Sequence, residues 1–436
     1  MKFVSAVILI FVLSISGFSQ DRLTLDEAIK IALQKNTDLM SQKNELSRSE
    51  SSVNAAYGNF LPDLGASGSW GWDKDILKGI DSVMESRSYS LGLQSHITLF
   101  DGLSNFANLS RAQNNLEAVK LSIEKMKQEV VFQTIFLYYA IVEADQLLKV
   151  NEEDVKQQQK NLETIEERNR LGSVTKADVY QQQVQLGNAE LQVIQQKNIL
   201  ETAKSNLLFY LGLDVLKDYK YSDELNKKEL SILDTDVNTD YDRLNELVKQ
   251  ALENRKDYLA QKLTLDSYYD NLTIAQSGHM PRLTGSLNYG TSAIIPKDLF
   301  KSQRLSAGLT LSIPIFSGFS TQNAIQSAEV DAMNYELKVK DSERLIKQEL
   351  QKSFLDLEAA KKGLLVTEKN VKAAEENLKI EQEKYNLGAG KLLDVLIANT
   401  SYQNAKTNYI NAQFNYIKLS EELKYNLGVL DYTPYE

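Results

Sequence analysis

Residues 304–316 read RLSAGLTLSIPIF. Leu305, Ala307, Leu309, Leu311, Ile313 and Ile315 take alternate positions, with Arg304, Ser306, Gly308, Thr310 and Ser312 between them. A period of two puts the first set on one face of a β-strand and the second on the other. Residues 88–100, SYSLGLQSHITLF, repeat the design, setting Tyr89, Leu91, Leu93, Ile97 and Leu99 against Ser90, Gln94, His96 and Thr98. Partner segments are LGASGSWGWD at 64–73 and LTGSLNYGTS at 283–292. The predicted strands therefore cover about 64–73, 89–99, 283–292 and 303–315. Segments of about ten residues with alternating polarity match a transmembrane β-barrel strand.

A soluble, half-buried hairpin alternates in the same way. The aromatic residues favour the membrane. Trp70, Trp72, Tyr89 and Tyr289 gather at the loop-side ends and Phe100 and Phe316 at the other ends, as aromatics do at the two interfaces of a bilayer. Lipid is thus the first expected partner. Open sheet edges cannot face lipid and membrane barrels have at least about eight strands, so a chain with four must share a barrel with other copies. The strand count alone leaves eight, twelve and sixteen strands open.

Between the strands the period becomes seven. Leu109, Leu116, Ile123, Val130 and Leu137 are spaced in this way, as are Val179, Leu186, Val193, Leu200 and Leu207, and Leu350, Leu357, Leu364, Val371 and Leu378. Sustained heptads pack long helices side by side. Most other positions are Asn, Gln, Ser, Lys or Glu, so these helices have narrow apolar seams and broad wet faces. One helix is predicted from about Thr24 to Tyr57, closed off by Pro62, and a very long one from Leu103 to Leu171.

The whole pattern occurs twice. The phrase EERNRLGSVTKADVYQQQVQLGNAE (166–190) answers to EKYNLGAGKLLDVLIANTSYQNAK (383–406), with Gly172 and Asp178 lying 216 positions before Gly388 and Asp394. Phe100-Asp101-Gly102 precedes Phe316-Ser317-Gly318 by the same 216, and Leu211-Gly212 precedes Leu427-Gly428. Earlier in each copy the offset is 219, as between Leu61-Pro62 and Met280-Pro281. A duplication of this size is read before any local motif. The expected organisation is a first unit at 20–213, a mixed-charge linker at 214–240 and a second unit at 241–436.

The first residues, MKFVSAVILIFVLSISGFSQ, combine Lys2, a short apolar run and a small-x-small ending, the pattern of a signal peptide over 1–19. Its removal changes the net charge from −10 to −11. An acidic chain without basic patches argues against a nucleic-acid partner. The chain has no Cys, which excludes disulfides, thiolate chemistry and a lipidated N-terminal Cys. Two isolated histidines, His96 and His279, make no metal centre, and no Walker loop, HExxH or GxSxG is present. No cofactor and no catalysis are expected. A coiled-coil scaffold would use the heptads but would leave the amphipathic strands without a purpose.

The duplicated unit, Leu61-Pro62, Phe100-Asp101-Gly102 and the paired phrases RLGSVTKADV and NLGAGKLLDVL together resemble the TolC-like outer membrane efflux protein family over essentially the whole mature chain. The resemblance implies a mainly α protein with a small β-barrel portion. It further implies a homotrimer, a twelve-stranded barrel in the outer membrane of a Gram-negative bacterium, and a twelve-column helical tunnel in the periplasm. The implied partners are a periplasmic adaptor and an inner-membrane pump of the RND, ABC or MFS type. The linker at 214–240 would girdle the tunnel with the C-terminal tail. Leu171, Gly172 and Ser173, with Leu387, Gly388 and Ala389, become the hairpin tips that dock the adaptor. Asp178, Tyr385, Lys391 and Asp394 become candidates for the gate or constriction at the tunnel mouth. Two positions depart from the family: Gly390 stands where its best-known members carry an arginine, and Ile397 where they carry a second aspartate. A carboxylate in the first turn of a helix is also an ordinary dipole partner.

Overall fold

The computed structural model describes residues 22–77, 82–221 and 241–435. The proposed signal peptide at 1–19 and most of the linker, 222–240, lie outside the described residues. In chain order the first copy comprises β1 (Arg22–Leu23), α1 (Leu25–Lys35), α2 (Thr37–Gly58), β2 (Gly65–Leu77), β3 (Ser82–Phe100), α3 (Ser104–Arg170) and α4 (Lys176–Tyr210), and β4 (Lys220–Tyr221) follows in the linker. The second comprises α5 (Tyr241–Asn254), α6 (Lys256–Gln276), β5 (Arg282–Ala293), β6 (Gln303–Ser312), α7 (Ser320–Asn386) and α8 (Leu392–Asn426). Among the described residues no helix is long and apolar enough to cross a membrane.

The expected single helix from Thr24 to Tyr57 is two helices. Asn36 interrupts it and caps the second, its Oδ1 accepting from the N–H groups of Asp38 and Leu39 at 3.1 and 3.0 Å. The second copy breaks at the matching residue, Arg255. Strand β6 ends at Ser312 rather than 315, because Pro314 has no N–H to donate. The first hairpin instead runs beyond its expected ends, pairing through Leu77 and Ser82.

The four long strands form one antiparallel sheet in the order β2-β3-β5-β6. Its register sorts the side chains. Ala66, Leu93, Tyr289 and Leu305 stand in one cross-strand row, and Ser95, Leu287 and Ala307 in another of the same face. The opposite face carries Gly65, Gln94, Asn288 and Ser306 in one row and His96, Ser286 and Gly308 in the next. A bulge at Thr98/Phe100 pairs Phe100 with Leu283, which moves Phe100 onto the apolar face despite its even number. Each strand pair then turns into a helix through two successive left-handed residues, Gly102-Leu103 and Gly318-Phe319. A left-handed Leu or Phe costs about 1–2 kcal/mol, and the strain is kept in both copies.

Below the sheet the helices repeat its order. Helix α2 packs on α3, α3 on α6 and α6 on α7, an arc of four columns under four strands. Beyond the middle of the molecule the neighbours change to α4 on α3, α3 on α8 and α8 on α7. The heptad residues are buried or half-buried throughout, and Gln182, Ala189 and Gln196 fill the alternate positions of the α4 seam. Tyr402, Tyr409 and Tyr416 lie in the α7–α8 seam, beside Leu378, Leu364 and Leu357. The largest core lies where the two arcs meet, around Ile29, Leu39, Ile141, Leu207, Leu211, Phe414 and Ile417. There the Gln128 amide donates to the carbonyls of Gly428 and Leu430, tying the end of α8 to α3.

Candidate functional site

The two helical hairpins, α3–α4 and α7–α8, end side by side. Each tip closes with a left-handed glycine, Gly172 at φ 75° and Gly388 at φ 74°. The following N–H reaches back in each case, Ser173 to the Arg168 carbonyl and Ala389 to the Lys384 carbonyl, both at 2.9 Å. This is the helix-ending geometry that glycine permits. Leu171 and Leu387 are 66% and 85% exposed, a large apolar exposure for two turns that water could cover with polar residues.

The candidate gate residues have separate environments. Asp178 forms a capping box with Thr175, its Oδ2 accepting from the Thr175 N–H at 2.9 Å and from the hydroxyl at 2.8 Å. Asp394 is exposed in the first turn of α8 and makes no side-chain hydrogen bond or ion pair with the other described residues. Lys391 is the exposed N-cap of the same helix and gives it no side-chain cap. Tyr385 is the residue on which the two hairpins meet. It packs against Ile165, Leu392 and Leu396 on one side and against Leu378, Val395 and Ala398 on the other. Its hydroxyl is buried with no hydrogen-bond partner among the described residues.

Sequence reasoning missed Arg168. Its guanidinium carbon lies 4.9 Å from the centre of the Tyr385 ring, and one Nη donates to Asn386 Oδ1 at 3.0 Å. The end of α3 is thereby fastened to the end of α7 by a cation over an aromatic face and a charge-assisted hydrogen bond. No local motif marks a pair 217 positions apart (385 − 168). Gly390 has its own cause. A Cβ there would stand 3.0 Å from the Lys384 Cβ and 3.1 Å from the Tyr385 nitrogen, so a larger residue fits only if the end of α7 gives slightly.

At the other end of the molecule, Trp70 pairs directly with Tyr89, level with Ala293. Trp72 lies two residues nearer the loop, opposite Arg87, and Tyr289 lies in a row four residues nearer the helices (293 − 289). Phe100 ends β3 beside Leu283, and Phe316 lies past the end of β6 with its ring edge-on to Phe319 at 5.5 Å. Ile315 and Phe316 are 97% and 74% exposed. The apolar band thus continues past the strands to the first helical turn.

The family model described as outer membrane efflux protein matches residues 28–213 and 247–429, one block in each copy. The chain belongs to the outer membrane efflux protein family. Outer membrane protein TolC of Salmonella enteritidis is 22% identical over 438 residues, covering 96% of this chain and 85% of that one. Among solved structures, the outer-membrane channel OprN superposes with a TM-score of 0.82 at 18% identity, covering 94% of this chain and 91% of its own. CusC superposes with a TM-score of 0.84 at 17% identity, covering 93% and 92%. As an outer membrane efflux protein, the chain is a channel-tunnel for efflux or secretion, seated in the outer membrane of a Gram-negative cell with its helices in the periplasm. The exposed apolar sheet face is then its lipid face, and the hairpin tips form the end remote from the membrane.

Proposed function

We propose that three copies of the chain close into one pore, a twelve-stranded barrel continued by a tunnel of twelve helical columns. Through it, substrates delivered by an inner-membrane pump and a periplasmic adaptor cross without further energy input or catalysis. The observation that carries this reading is the register. All four strands put most of their apolar residues on one face and most of their polar residues on the other, while β2 and β6 are left with open edges. An open edge in hydrocarbon leaves N–H and C=O groups unpaired at several kcal/mol each, so the edges of neighbouring copies must meet. The pump would be of the RND, ABC or MFS type, and the adaptor would dock on the exposed tips around Leu171, Gly172, Ser173, Leu387, Gly388 and Ala389. At the same mouth, Asp394 would contribute one carboxylate from each copy to a ring. Tyr385 with Arg168 would hold the hairpins together, while the Asp178 carboxylate serves its own helix. Trp70, Trp72, Tyr89, Tyr289, Phe100 and Phe316 would sit at the bilayer interfaces.

Native mass and single-channel current of the detergent-purified, full-length protein test this together. A three-copy species that inserts into planar bilayers with discrete conductance steps is expected. A monomer that stays out of detergent micelles, or an oligomer that carries no current, would return the chain to the role of a coiled-coil scaffold.

A further inference from the structure

The polar face of the sheet has a hollow that the fold does not require. Near the loop-side end, one cross-strand row of that face runs Ser67, Gly92, Gly290, Arg304, one residue from each strand. The two glycines are direct partners on adjacent strands and form the floor. Ser90 and Ser292 stand on one side of it and Gln94 and Asn288 on the other, enclosing about 640 Å³ with Arg304 at the edge. Neither glycine has a positive φ, and the register runs past both without a bulge. A Cβ on Gly290 would meet its nearest atom, the Leu91 carbonyl oxygen, at an ordinary 3.7 Å. On Gly92 the nearest atom would be the Ser67 hydroxyl oxygen at 3.2 Å, which a turn of that side chain relieves. Backbone geometry thus asks for glycine at neither position, and glycine inside a strand weakens it. What a bare strand floor permits is the close approach of a ligand.

Arg304 sets the chemistry of the hollow. Its side chain is exposed and has no ion pair or hydrogen bond with the other described residues. The carboxylates nearest along the sheet are Asp63, which accepts from the N–H of His96 four residues toward the helices (96 − 92), and Asp73, six residues toward the loop (73 − 67). At about 3.4 Å per residue they stand about 13 and 20 Å away along the strands, beyond the Debye length of about 10 Å at 0.1 M salt. Asp298, in the loop before β6, is paired with Lys301. A chain of net charge −10 therefore presents a bare guanidinium here, beside hydroxyls and side-chain amides that can all donate. The start of β6 is also pinned, since the Thr291 hydroxyl donates to the Ser302 carbonyl at 2.8 Å, two residues before Arg304. A planar fork of donors suits an oxyanion, and arginines on a pore wall favour anions and phosphates. We infer that this hollow is a binding station for phosphate-type anionic groups of solutes in the pore, repeated once per copy on the inner wall at the outer end of the barrel. The inference rests on the conduit reading above.

The test uses the full-length protein in planar bilayers, with inorganic tripolyphosphate as the probe. The polar helices cannot cross hydrocarbon, so protein added to one chamber inserts sheet first and the outer end of the barrel faces the other chamber. Tripolyphosphate in that far chamber should block the current reversibly, and at a several-fold lower concentration than from the tip side, where the Asp394 carboxylates would repel it. Arg304→Gln should raise the blocking concentration about ten-fold, as the loss of one charge-assisted hydrogen bond predicts. Arg304→Lys, which keeps the charge without the fork, should raise it by less. Gly290→Thr keeps the guanidinium and fills the floor, and should weaken the block several-fold, a loss that charge steering by Arg304 alone would not give. Equal block from both chambers, an open parent pore that tripolyphosphate does not block, or block at the parent's concentration in either Arg304→Gln or Gly290→Thr overturns the station. If Arg304→Gln does not assemble, Arg304→Lys and Gly290→Thr decide. A purified oligomer that opens no pore overturns the conduit reading instead, which separates the two failures.

Discussion

Arg255 stands where Asn36 stands in the first copy, 219 positions earlier (255 − 36). Asn36 caps a helix with its side-chain oxygen, whereas an arginine has no acceptor to offer. Instead its Nε and Nη2 donate to Asp257 at 3.1 and 2.7 Å, and its Nη1 donates to Glu349 at 2.6 Å. Burial by itself would lower the arginine's pKa, but the bonds to Asp257 and Glu349 more than offset it and the net shift is upward. For Asp257, burial acts to raise the pKa, and the Arg255 hydrogen bond and charge bring the net result below the usual carboxylate value. A carboxyl depressed in the folded state adds stability above its unfolded pKa of about 4, and that stability is lost as pH falls through the folded value. Arg255→Ala should cost about 1.5–3 kcal/mol by removing the donors of two partly exposed carboxylates at the junction of the arcs. Arg255→Met should also flatten the acid limb of the melting temperature between about pH 5 and pH 3; acid limbs parallel to those of the parent protein would show that Asp257 is not held down by Arg255. In the proposed pore Asp394 would line the mouth, and among the described residues its side chain has no hydrogen-bond or ion-pair partner. Asp394→Lys should shift the pore from cation toward anion preference, read as a change in reversal potential under a salt gradient. An unchanged reversal potential would leave Asp394 as a helix-dipole partner, worth about 0.3–1 kcal/mol.

Strands and helices differed in how far the chain could be read in advance. The alternation in residues 304–312 stated the face of each side chain, because a β-strand has a period of two. The extension of the first hairpin past Trp72 was illegible: Asp73-Lys74-Asp75 breaks the alternation, yet backbone pairing carries on through it. Heptads located the long helices but hid the break at Asn36, since an amphipathic pattern runs through a cap without a change of phase. The tips were legible through Leu-Gly, a local signal. Arg168 on Tyr385 was not, because contacts between hairpins depend on how two separately formed elements dock. The lipid face yields a direct comparison. Leu309 is 72% exposed, with Ile97 and the side-chain gap at Gly285 beside it on that face, and Thr310 is next in sequence on the other. Leu309→Arg should cost about 2–4 kcal/mol near the bilayer midplane and deplete assembled oligomer from outer-membrane fractions. Thr310→Lys should assemble normally and alter only ion selectivity. Equal assembly of the two would mean that the apolar face does not meet lipid.

At the scale of the whole molecule, one edge of the chain is continuous from sheet to tip. Strand β6 leads into α7, and α7 borders both arcs; the other edge is β2, then α2, then α4. The edges are different surfaces, so in the proposed pore copies would join head to tail and close into a ring. Both edges carry apolar residues that the single chain leaves uncovered, and they match in height. Tyr180 lies eight residues past Gly172 and Ile380 eight before Gly388 (180 − 172 and 388 − 380), with exposures of 62% and 50%. Ile194 and Val366 are each 22 residues from their tip glycines (194 − 172 and 388 − 366), at 65% and 56%. Strand counting could not choose among two, three and four copies, because it carries no information on the curvature of the arc. Matched heights do identify which residues should meet. Ile194→Glu or Val366→Lys alone should shift the native mass from oligomer toward monomer, since each buries an unpaired charge against an apolar neighbour. The double variant sets Glu of one copy against Lys of the next in every interface and should recover part of the oligomer, less so at high salt as screening weakens the pair. If the single variants stay fully oligomeric, or the double variant recovers nothing, α4 and α7 are not the edges at which neighbouring copies meet.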